Sequence, residues 1–281
     1  MKKFELNTFA TADELARTVA GAWLDEIESA SRTGKPHRVA LSGGRITQKF
    51  FSSVVEQTRT RAVSFARVHF FWADERCVPP DDPESNFRMA NELLFTPLKI
   101  PENQVHRIHG EQSPDRAAEL ATAEIRRVIS TAPSSSSPPP TEERAGERRP
   151  TRPNSGSNPL APALSPLERG EGVGSQPVLD LIFLGMGEDG HVASLFPDTP
   201  AEIIRGTAPF LVIENSPKPP PRRISLSYAA MAAARQVWVL ISGAGKEKAL
   251  RESLNFSGKT SLGRVIQLRS HTRIFSEIRP N

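Results

Sequence analysis

Short apolar runs and amphipathic segments alternate along most of the chain. Four runs rich in aliphatic and aromatic residues are typical of buried strands, because a strand covered on both faces has few polar positions. These runs are 37–41, 68–72, 178–184 and 236–242. Between them, apolar residues recur three and four positions apart and predict helices. The alternation predicts an α/β fold with a mostly parallel sheet that helices cover on both faces.

Weaker patterns predict the remaining elements. Residues 4–9 alternate as an edge strand does, and Thr11 or Asp13 caps the helix that follows. Strands are also predicted over 210–213 and near 272–275. Helices are also predicted after Gly44, from Ser85, from Ser113 to about Ile129, over 228–234 and after Lys246.

The segment 130–177 differs in composition from the rest of the chain. It contains runs of Ser and Pro, no aromatic residue, and equal numbers of Arg and Glu. Such a segment buries too little apolar surface to offset its ordering entropy. We therefore predict one domain over 1–281 that is interrupted by a disordered surface insertion at 130–177. A nucleic-acid-binding arm is the alternative, which the balanced charge disfavours.

The overall composition favours some classes of binding partner over others. The formal net charge of +4 fits a small anionic substrate, whereas nucleic-acid binding has little support because no Arg-rich run is interleaved with aromatic residues. One cysteine, Cys77, permits no internal disulfide and fits a reducing cytoplasm. No apolar window is long enough to span a membrane. We expect a cytoplasmic protein with no nucleic-acid or membrane partner, either a monomer or a small homo-oligomer.

Polar and glycine-rich stretches follow four of the predicted strands. They are Ser42-Gly43-Gly44, Asp74-Glu75-Arg76, Gly185 to His191, and Gly243 to Lys246. In an open α/β sheet, ligands bind at the carboxyl ends of the strands. The sequence therefore predicts that these four stretches form one site.

Several of these residues suit an anion. Ser42-Gly43-Gly44 exposes backbone N–H groups at the positive end of a helix, which is a favourable place for a phosphate. Lys246 stands at the start of its own helix, where a cation holds an anion better than it stabilises the helix. Arg76, and Arg222 or Arg223, offer planar donors for phosphate oxygens.

His191 is the natural general base, because histidine changes charge near neutral pH. Asp189 is placed to orient its ring, and the glycines beside it, Gly187 among them, allow close approach of a substrate. No second His or Cys stands at zinc-ligand spacing, so we expect no metal. Cys77 follows Arg76 and is either a reactive thiol or, more simply, a bystander.

The spacing Gly185-x-Gly187-x-x-Gly190 also matches the dinucleotide-binding fingerprint. That fingerprint requires a long helix after its third glycine, and Pro197 interrupts the chain only seven residues later. It also usually opens its domain, whereas this match comes after the middle of the chain. We therefore expect no cofactor.

Most of these stretches resemble the motifs of the 6-phosphogluconolactonase family. The resemblance rests on Ser42-Gly43-Gly44, Asp74-Glu75-Arg76 with Ser85-Asn86, the stretch from Gly185 through His191 to Pro197, Arg222 to Leu226, and Gly243 to Lys246. It implies a three-layer α/β/α fold of the sugar-phosphate isomerase type. It also implies metal-free hydrolysis of 6-phospho-D-glucono-1,5-lactone to 6-phospho-D-gluconate in the oxidative pentose phosphate pathway.

The resemblance also implies roles for single residues. His191, with Asp189, would deprotonate a water molecule for attack on the lactone carbonyl. Arg76, Lys246 and the Ser42–Gly44 turn would hold the 6-phosphate. Asp74, Gly187 and Arg222 complete the set of expected substrate-binding residues.

The related glucosamine-6-phosphate deaminases have Phe-Asn-Glu-Pro after the histidine, with a glutamate that helps to open the sugar ring. This chain has Ser194-Leu195-Phe196-Pro197 and lacks that glutamate. A deaminase or isomerase, and a sugar-phosphate sensor without turnover, remain the alternatives to the lactonase. The chain departs from the lactonase pattern as well: Arg45-Ile46-Thr47-Gln48 follows Gly44 where the family usually has Ser-Thr-Pro. Either one residue is inserted there or Arg45 is an additional phosphate ligand.

Overall fold

A six-stranded parallel sheet forms the centre of the computed structural model, which describes residues 3–130, 175–255 and 259–280. The strands are β1 (Phe4–Thr8), β2 (His37–Leu41), β3 (Val68–Trp72), β4 (Asp74–Arg76), β5 (Leu181–Gly185), β6 (Phe210–Ile213), β7 (Arg223–Leu226), β8 (Gln236–Ile241) and β9 (Thr272–Ser276). The helices are α1 (Ala12–Arg32), α2 (Arg45–Thr58), α3 (Asn86–Ala90), α4 (Thr96–Leu98), α5 (Pro114–Ser130), α6 (Ala201–Ile204), α7 (Tyr228–Ala233), α8 (Glu247–Leu254) and α9 (Ser261–Leu268). A π-helical turn, Asn91–Phe95, joins α3 to α4, and a short 3-10 turn covers Glu102–Gln104.

The order of the strands in the central sheet is β1-β9-β8-β5-β2-β3, and all neighbouring pairs are parallel. All five residues of β2 are buried, as are the first four of β5. Because successive side chains of a strand point to opposite faces, this burial means that both faces of the sheet are covered. The predicted three-layer α/β/α fold is therefore confirmed.

The core on one face centres on Trp23 of α1. Its ring lies 5.5 Å from the rings of both Phe50, on α2, and Phe183, on β5. The indole N–H donates to Nε2 of the buried His37, so the one polar atom of the side chain is satisfied. This packing fixes α1 and α2 against the middle of the sheet and thus sets where the loop before α2 lies.

A second sheet of three antiparallel strands, in the order β4-β7-β6, was not predicted. The strand β4 has only three residues, all of them charged, and so carries no apolar pattern. It pairs with β7 so that Asp74 faces Ser225 and Arg76 faces Arg223. The polar stretch after β3 is therefore a strand rather than a simple loop.

Other elements predicted from the sequence are present, some of them with different first or last residues. The hydroxyl of Thr11 caps α1 by accepting from the N–H of Glu14 at 3.1 Å, as predicted. The strand β5 begins at Leu181, three residues later than predicted, and the carboxylate of Asp180 just before it accepts from the N–H of Arg38. The helix α9 was not predicted. The segment 130–177 lies outside the described residues except at its two ends.

No helix among the described residues is long and apolar enough to cross a membrane.

Candidate active site

The four polar stretches meet at one edge of the central sheet. They follow β8, β5, β2 and β3, which are consecutive neighbours in the sheet, and the carboxyl ends of parallel strands lie on the same side. Together they border a cavity of about 330 Å³. Its lining includes eight of the residues that the sequence predicted: Ser42, Gly43, Gly44, Asp74, Arg76, Gly187, His191 and Lys246.

His191 and Asp189 form a hydrogen-bonded pair at this cavity. The Nδ1 of His191 lies 2.5 Å from Oδ1 of Asp189, which also accepts from the backbone N–H of His191 at 3.2 Å. Burial opposes ionisation of Asp189, but the hydrogen bond and charge of His191 outweigh it and lower the pKa of Asp189 to about 2. Since an ionised carboxylate only accepts, Nδ1 carries the proton of this bond. The Nε2 of the neutral ring is then left as a proton acceptor.

Two neighbours fix the orientation of the His191 ring. A Cβ built at Gly187 would lie 2.6 Å from Oδ1 of Asp189 and still closer to the imidazole, so only glycine allows the pair to form as it does. On the other side, the ring of the buried Phe196 lies 4.5 Å from the imidazole ring. The ring is therefore held between a backbone and an aromatic face.

Asp74 connects three of the loops. Its Oδ2 accepts from the hydroxyl of Ser194 at 2.6 Å, which anchors the loop after His191. Its backbone carbonyl accepts from Nδ2 of Asn86 at 2.9 Å. A Cβ at Gly43 would lie 2.8 Å from Cγ of Asn86, so Gly43 allows these two loops to approach closely. Asp74 thus has its side chain buried in the framework while it also lines the cavity.

Arg76 is held from behind by the chain that precedes α3. Its Nη1 donates to the backbone carbonyl of Glu84 and lies 3.7 Å from that residue's carboxylate. Its Nε is buried without a hydrogen-bond partner among the described residues. A buried guanidinium N–H without a partner is costly, so the position of Arg76 is maintained at the expense of this hydrogen bond.

Glu75 faces away from the cavity and anchors α3. Its carboxylate accepts from the backbone N–H groups of Arg76, Asn86 and Phe87, each at 2.8 Å, and from the hydroxyl of Ser85 at 3.1 Å. Burial, together with the nearby charge of Asp74, raises the pKa of Glu75 to about 7 against the effect of these N–H donors. Glu75 is thus a structural residue that sets the position of Asn86.

Cations outnumber carboxylates around the cavity. The lining contains five cationic residues, Arg45, Arg76, Lys218, Arg223 and Lys246, and two acidic ones, Asp74 and Glu188. Burial lowers the pKa of Lys246, and the charges of Arg45 and Lys218 lower it further, while Glu188 and Glu277 oppose the shift. Because the cations destabilise one another's charge, this cavity favours an anionic ligand.

The Ser42–Gly44 turn has separate structural and functional parts. The hydroxyl of Ser42 donates to the carbonyl of Phe183 at 2.8 Å and so links β2 to β5. Gly44 has φ of 106° and begins α2 with no side-chain cap and no acidic residue in the first turn. Gly44 and Arg45 line the cavity, so the positive end of α2 borders it with no carboxylate of its own first turn.

Arg223, rather than Arg222, lies in the cavity lining. Arg222 is exposed, and its backbone carbonyl accepts from the N–H of Cys77. Arg223 is the first residue of β7 and is buried, whereas Arg222 lies just before the strand. The guanidinium of Arg223 donates to the carbonyls of Lys218, Pro219 and Pro220, which holds that loop at the cavity. We therefore replace Arg222 by Arg223 in the candidate site.

Sequence reasoning left other lining residues out of the candidate site. Asn86 was noted only within a motif, and Arg45 only as one of two explanations for the residues after Gly44. Lys218 lies in a proline-rich turn that carries no signal of its own. The position of Lys218 at the cavity becomes visible only when the separate loops are seen together in the structure. Asp189 is hydrogen-bonded to His191, and it stands behind the ring and not in the lining.

Two candidate chemistries receive no support from the described residues. Burial raises the pKa of the half-buried Cys77 thiol to about 11, with a further increase from Glu75, so the thiol is protonated at neutral pH. Within residues 3–130, 175–255 and 259–280, no group of three or more His, Cys, Asp or Glu side chains is arranged to hold a metal ion.

Comparison with known proteins gives a consistent family. The family model described as glucosamine-6-phosphate isomerases/6-phosphogluconolactonase matches residues 10–262. The 6-phosphogluconolactonase of Mycobacterium bovis is 30% identical over 206 residues, which cover 73% of this chain and 68% of that protein.

Solved structures agree in fold. The 6-phosphogluconolactonase of Thermotoga maritima is 25% identical with a TM-score of 0.69, over 97% of this chain and 98% of that one. A monomeric glucosamine-6-phosphate deaminase gives the same TM-score at 15% identity, over 98% of this chain and 97% of that one. The similarity to the deaminase structure shows a shared fold and nothing more.

Proposed function

The chain belongs to the glucosamine-6-phosphate isomerase/6-phosphogluconolactonase family, and from this premise we propose that it hydrolyses 6-phospho-D-glucono-1,5-lactone to 6-phospho-D-gluconate. The observation that carries the proposal is a histidine–carboxylate pair, His191 with Asp189, at the same cavity as an excess of cations. A phosphorylated lactone requires both features, since its ester carbonyl needs an activated water molecule and its phosphate needs positive charge.

In the proposed reaction, Nε2 of His191 accepts a proton from a water molecule whose oxygen attacks the lactone carbonyl carbon. Asp189 holds the proton on Nδ1 and stabilises the imidazolium that forms, as the carboxylate of a catalytic triad does. The tetrahedral intermediate then collapses with cleavage of the bond from the carbonyl carbon to the ring oxygen. The imidazolium returns its proton to that oxygen, and the product is an open-chain carboxylate.

Arg76 and Lys246, with the N–H groups of the Ser42–Gly44 turn, bind the 6-phosphate in this proposal. The unfavourable surroundings of the Lys246 ammonium group favour a bound anion, and Arg76 lines the same cavity. Gly187 and Asp74 keep the catalytic loop in place, and Arg223 shapes the opposite wall.

The proposed reaction needs no metal and no cofactor, because His191 supplies the base and water the nucleophile. We place it in the oxidative pentose phosphate pathway and in the cytoplasm. The single cysteine of the chain suits a reducing compartment. Hydrolysis that is unchanged in the presence of a chelator is the expected result.

Deamination of glucosamine 6-phosphate is not favoured by the site. The position that holds a glutamate in the deaminase pattern is occupied here by Phe196, whose ring packs on His191 and supplies no carboxylate. Nothing in the geometry favours a sensor without turnover, since the pair of His191 and Asp189 is intact.

The test is the rate of hydrolysis of freshly generated 6-phosphogluconolactone by the wild-type chain and by His191→Ala, each compared with buffer because the lactone also hydrolyses unaided. We expect His191→Ala to lose a factor of about 10² to 10⁴ in kcat, since that is the range of general-base catalysis. We expect the affinity for 6-phosphogluconate, measured by calorimetry, to change little.

Three other outcomes would be informative. Acceleration that survives in His191→Ala would keep the substrate and move the base, with Asp189 the next candidate. No acceleration by the wild type, together with activity on glucosamine 6-phosphate, would replace the lactonase by a deaminase. Loss of both activity and binding in the variant would contradict a purely catalytic role for His191.

A further inference from the structure

Arg45 reaches across the cavity mouth from one strand-end loop to another. It is the first residue of α2, and it lines the cavity. Its Nη2 lies 3.7 Å from where a Cβ of Gly243 would stand. Gly243 belongs to the loop after β8 that leads into Lys246. The guanidinium of Arg45 is thus beside the loop of Lys246 although the two residues are about 200 positions apart in the chain.

This placement is unfavourable for the free protein. A cation at the first position of a helix opposes the positive end of the helix dipole, and α2 has no acidic residue in its first turn to compensate. Among the described residues, the side chain of Arg45 makes no hydrogen bond or ion pair. It lies near enough to Lys246 to disfavour the charge of that ammonium group. An anion between the two would relieve both effects.

Lys218 approaches the same place from a third loop. Its side chain also has no hydrogen bond or ion pair among the residues that the structure describes, and it is a second cation acting on Lys246. The loop is held rigidly, because Arg223 donates to the carbonyl of Lys218 at 3.0 Å and Ser216 Oγ donates to it at 2.9 Å. Glu188 and Glu277 oppose the effect of these cations on Lys246, and Oε1 of Glu277 already accepts from the N–H of Gly243.

We propose that Arg45, with Lys218 and Lys246, binds the phosphate of the substrate, and that Arg45 sets the preference of the enzyme for a phosphorylated over an unphosphorylated lactone. This inference rests on the proposed lactonase function. Three cations from three separate loops surround one anion, and the planar guanidinium contributes two parallel donors. The residue that departs from the usual Ser-Thr-Pro sequence is then a functional addition to the site.

The test compares Arg45→Gln, Arg45→Lys and the control Lys49→Gln. Lys49 lies on the same helix and has the same charge, but it pairs with Asp13 and does not line the cavity. For Arg45→Gln we expect the Kd of 6-phosphogluconate to rise about 10-fold or more, as loss of a charge-assisted hydrogen bond implies. Arg45→Lys should recover part of the affinity, and Lys49→Gln should bind like the wild type.

Kinetics supply a second measurement. For Arg45→Gln, the ratio of kcat/KM on 6-phosphogluconolactone to kcat/KM on gluconolactone should fall about 10-fold, mainly through KM. An Arg45→Gln variant with wild-type affinity and wild-type ratio would overturn the proposal. If the wild type binds 6-phosphogluconate but hydrolyses no lactone, the proposed function fails, and the calorimetric comparison alone decides the role of Arg45.

Discussion

At the scale of single residues, the site depends on two glycines whose lack of a side chain leaves room for their neighbours. Gly187 and Gly43 each stand where a methyl group would collide with a side chain that does the chemistry or supports it. The sequence predicted close approach at Gly187 from the density of glycines alone. It could not predict which of Arg222 and Arg223 faces the cavity, because the register of β7 is set by pairing with β4, a strand that has no apolar pattern.

The first prediction at this scale concerns Gly187→Ala. The new methyl group would force the imidazole of His191 away from Asp189, so we expect kcat to fall about 100-fold, toward the loss caused by removing the base itself. Binding of 6-phosphogluconate should persist, since the cations are elsewhere in the cavity. Steady-state kinetics and calorimetry on the same preparation check both statements.

Gly21→Ala is the matched control for this substitution. Its new Cβ would meet only the end of the Gln57 side chain, at 3.3 Å, and it lies on α1 away from the cavity. Wild-type kcat is expected for this control. A Gly187→Ala variant with wild-type kcat as well would show that the geometry of the His191–Asp189 pair is not needed for turnover.

At the scale of elements, the meeting of the strand-end loops could be predicted from the sequence. The second sheet, β4-β7-β6, could not. Four strand-end stretches were expected to converge, and they do, because β8, β5, β2 and β3 are neighbours in a parallel sheet. The contribution of Lys218 was not predicted, since a charged residue in a turn looks the same in sequence whether it faces solvent or a cavity. Arg45 was predicted as a phosphate ligand only as one of two explanations for the residues after Gly44. The sequence also did not predict that Glu75 anchors α3, where its carboxylate accepts from three backbone N–H groups.

The anchoring of α3 by Glu75 predicts a pH dependence of stability. Burial raises the pKa of Glu75 to about 7, above the value near 4.5 in an unfolded chain. Between these two values the folded protein retains a proton that the unfolded chain releases, so the contribution of Glu75 is largest below about pH 4.5 and declines as the pH rises through 7. Relative to Glu75→Gln, the wild type should lose up to about 3 kcal/mol of unfolding free energy between pH 4.5 and 7.5.

Urea denaturation of both proteins at several pH values measures this difference. The exposed Glu92, which pairs with Arg88, provides a control, because Glu92→Gln removes a carboxylate at the surface of the next helical turn. The difference in unfolding free energy between wild type and Glu92→Gln should stay nearly constant between pH 4.5 and 7.5. A constant difference between wild type and Glu75→Gln across the range would contradict the raised pKa.

At the scale of the whole molecule, the predicted domain divides into a part that the structure describes and the segment 130–177. The described residues on either side of this segment group into one compact unit, which contains the sheet, the core and the cavity lining. The chain leaves it after α5 and returns before β5. We retain the proposal that the segment is an insertion in a single lactonase domain.

This proposal predicts that residues 131–174 can be replaced by a Gly/Ser linker of about ten residues with kcat and KM within about two-fold of wild type. A long loop between two fixed ends costs little closure entropy, so shortening it should also change stability little. The lactonase assay and a thermal melt check this. A large loss of kcat in a variant that melts normally would assign the segment a part in the reaction.

The pairing of β1 has a consequence for how the chain is made. Phe4 pairs with Thr272, so β1 finds its neighbour in a strand that is synthesised much later than β1 itself. Contacts of such wide sequence separation slow folding, and until β9 arrives the edge that β1 will occupy does not exist. The central strands cannot close early either, because β5, which separates β2 from β8, follows more than half of the chain. Folding of the sheet is therefore expected to be completed only after β9 has emerged from the ribosome, with the docking of β1 as one of its final steps.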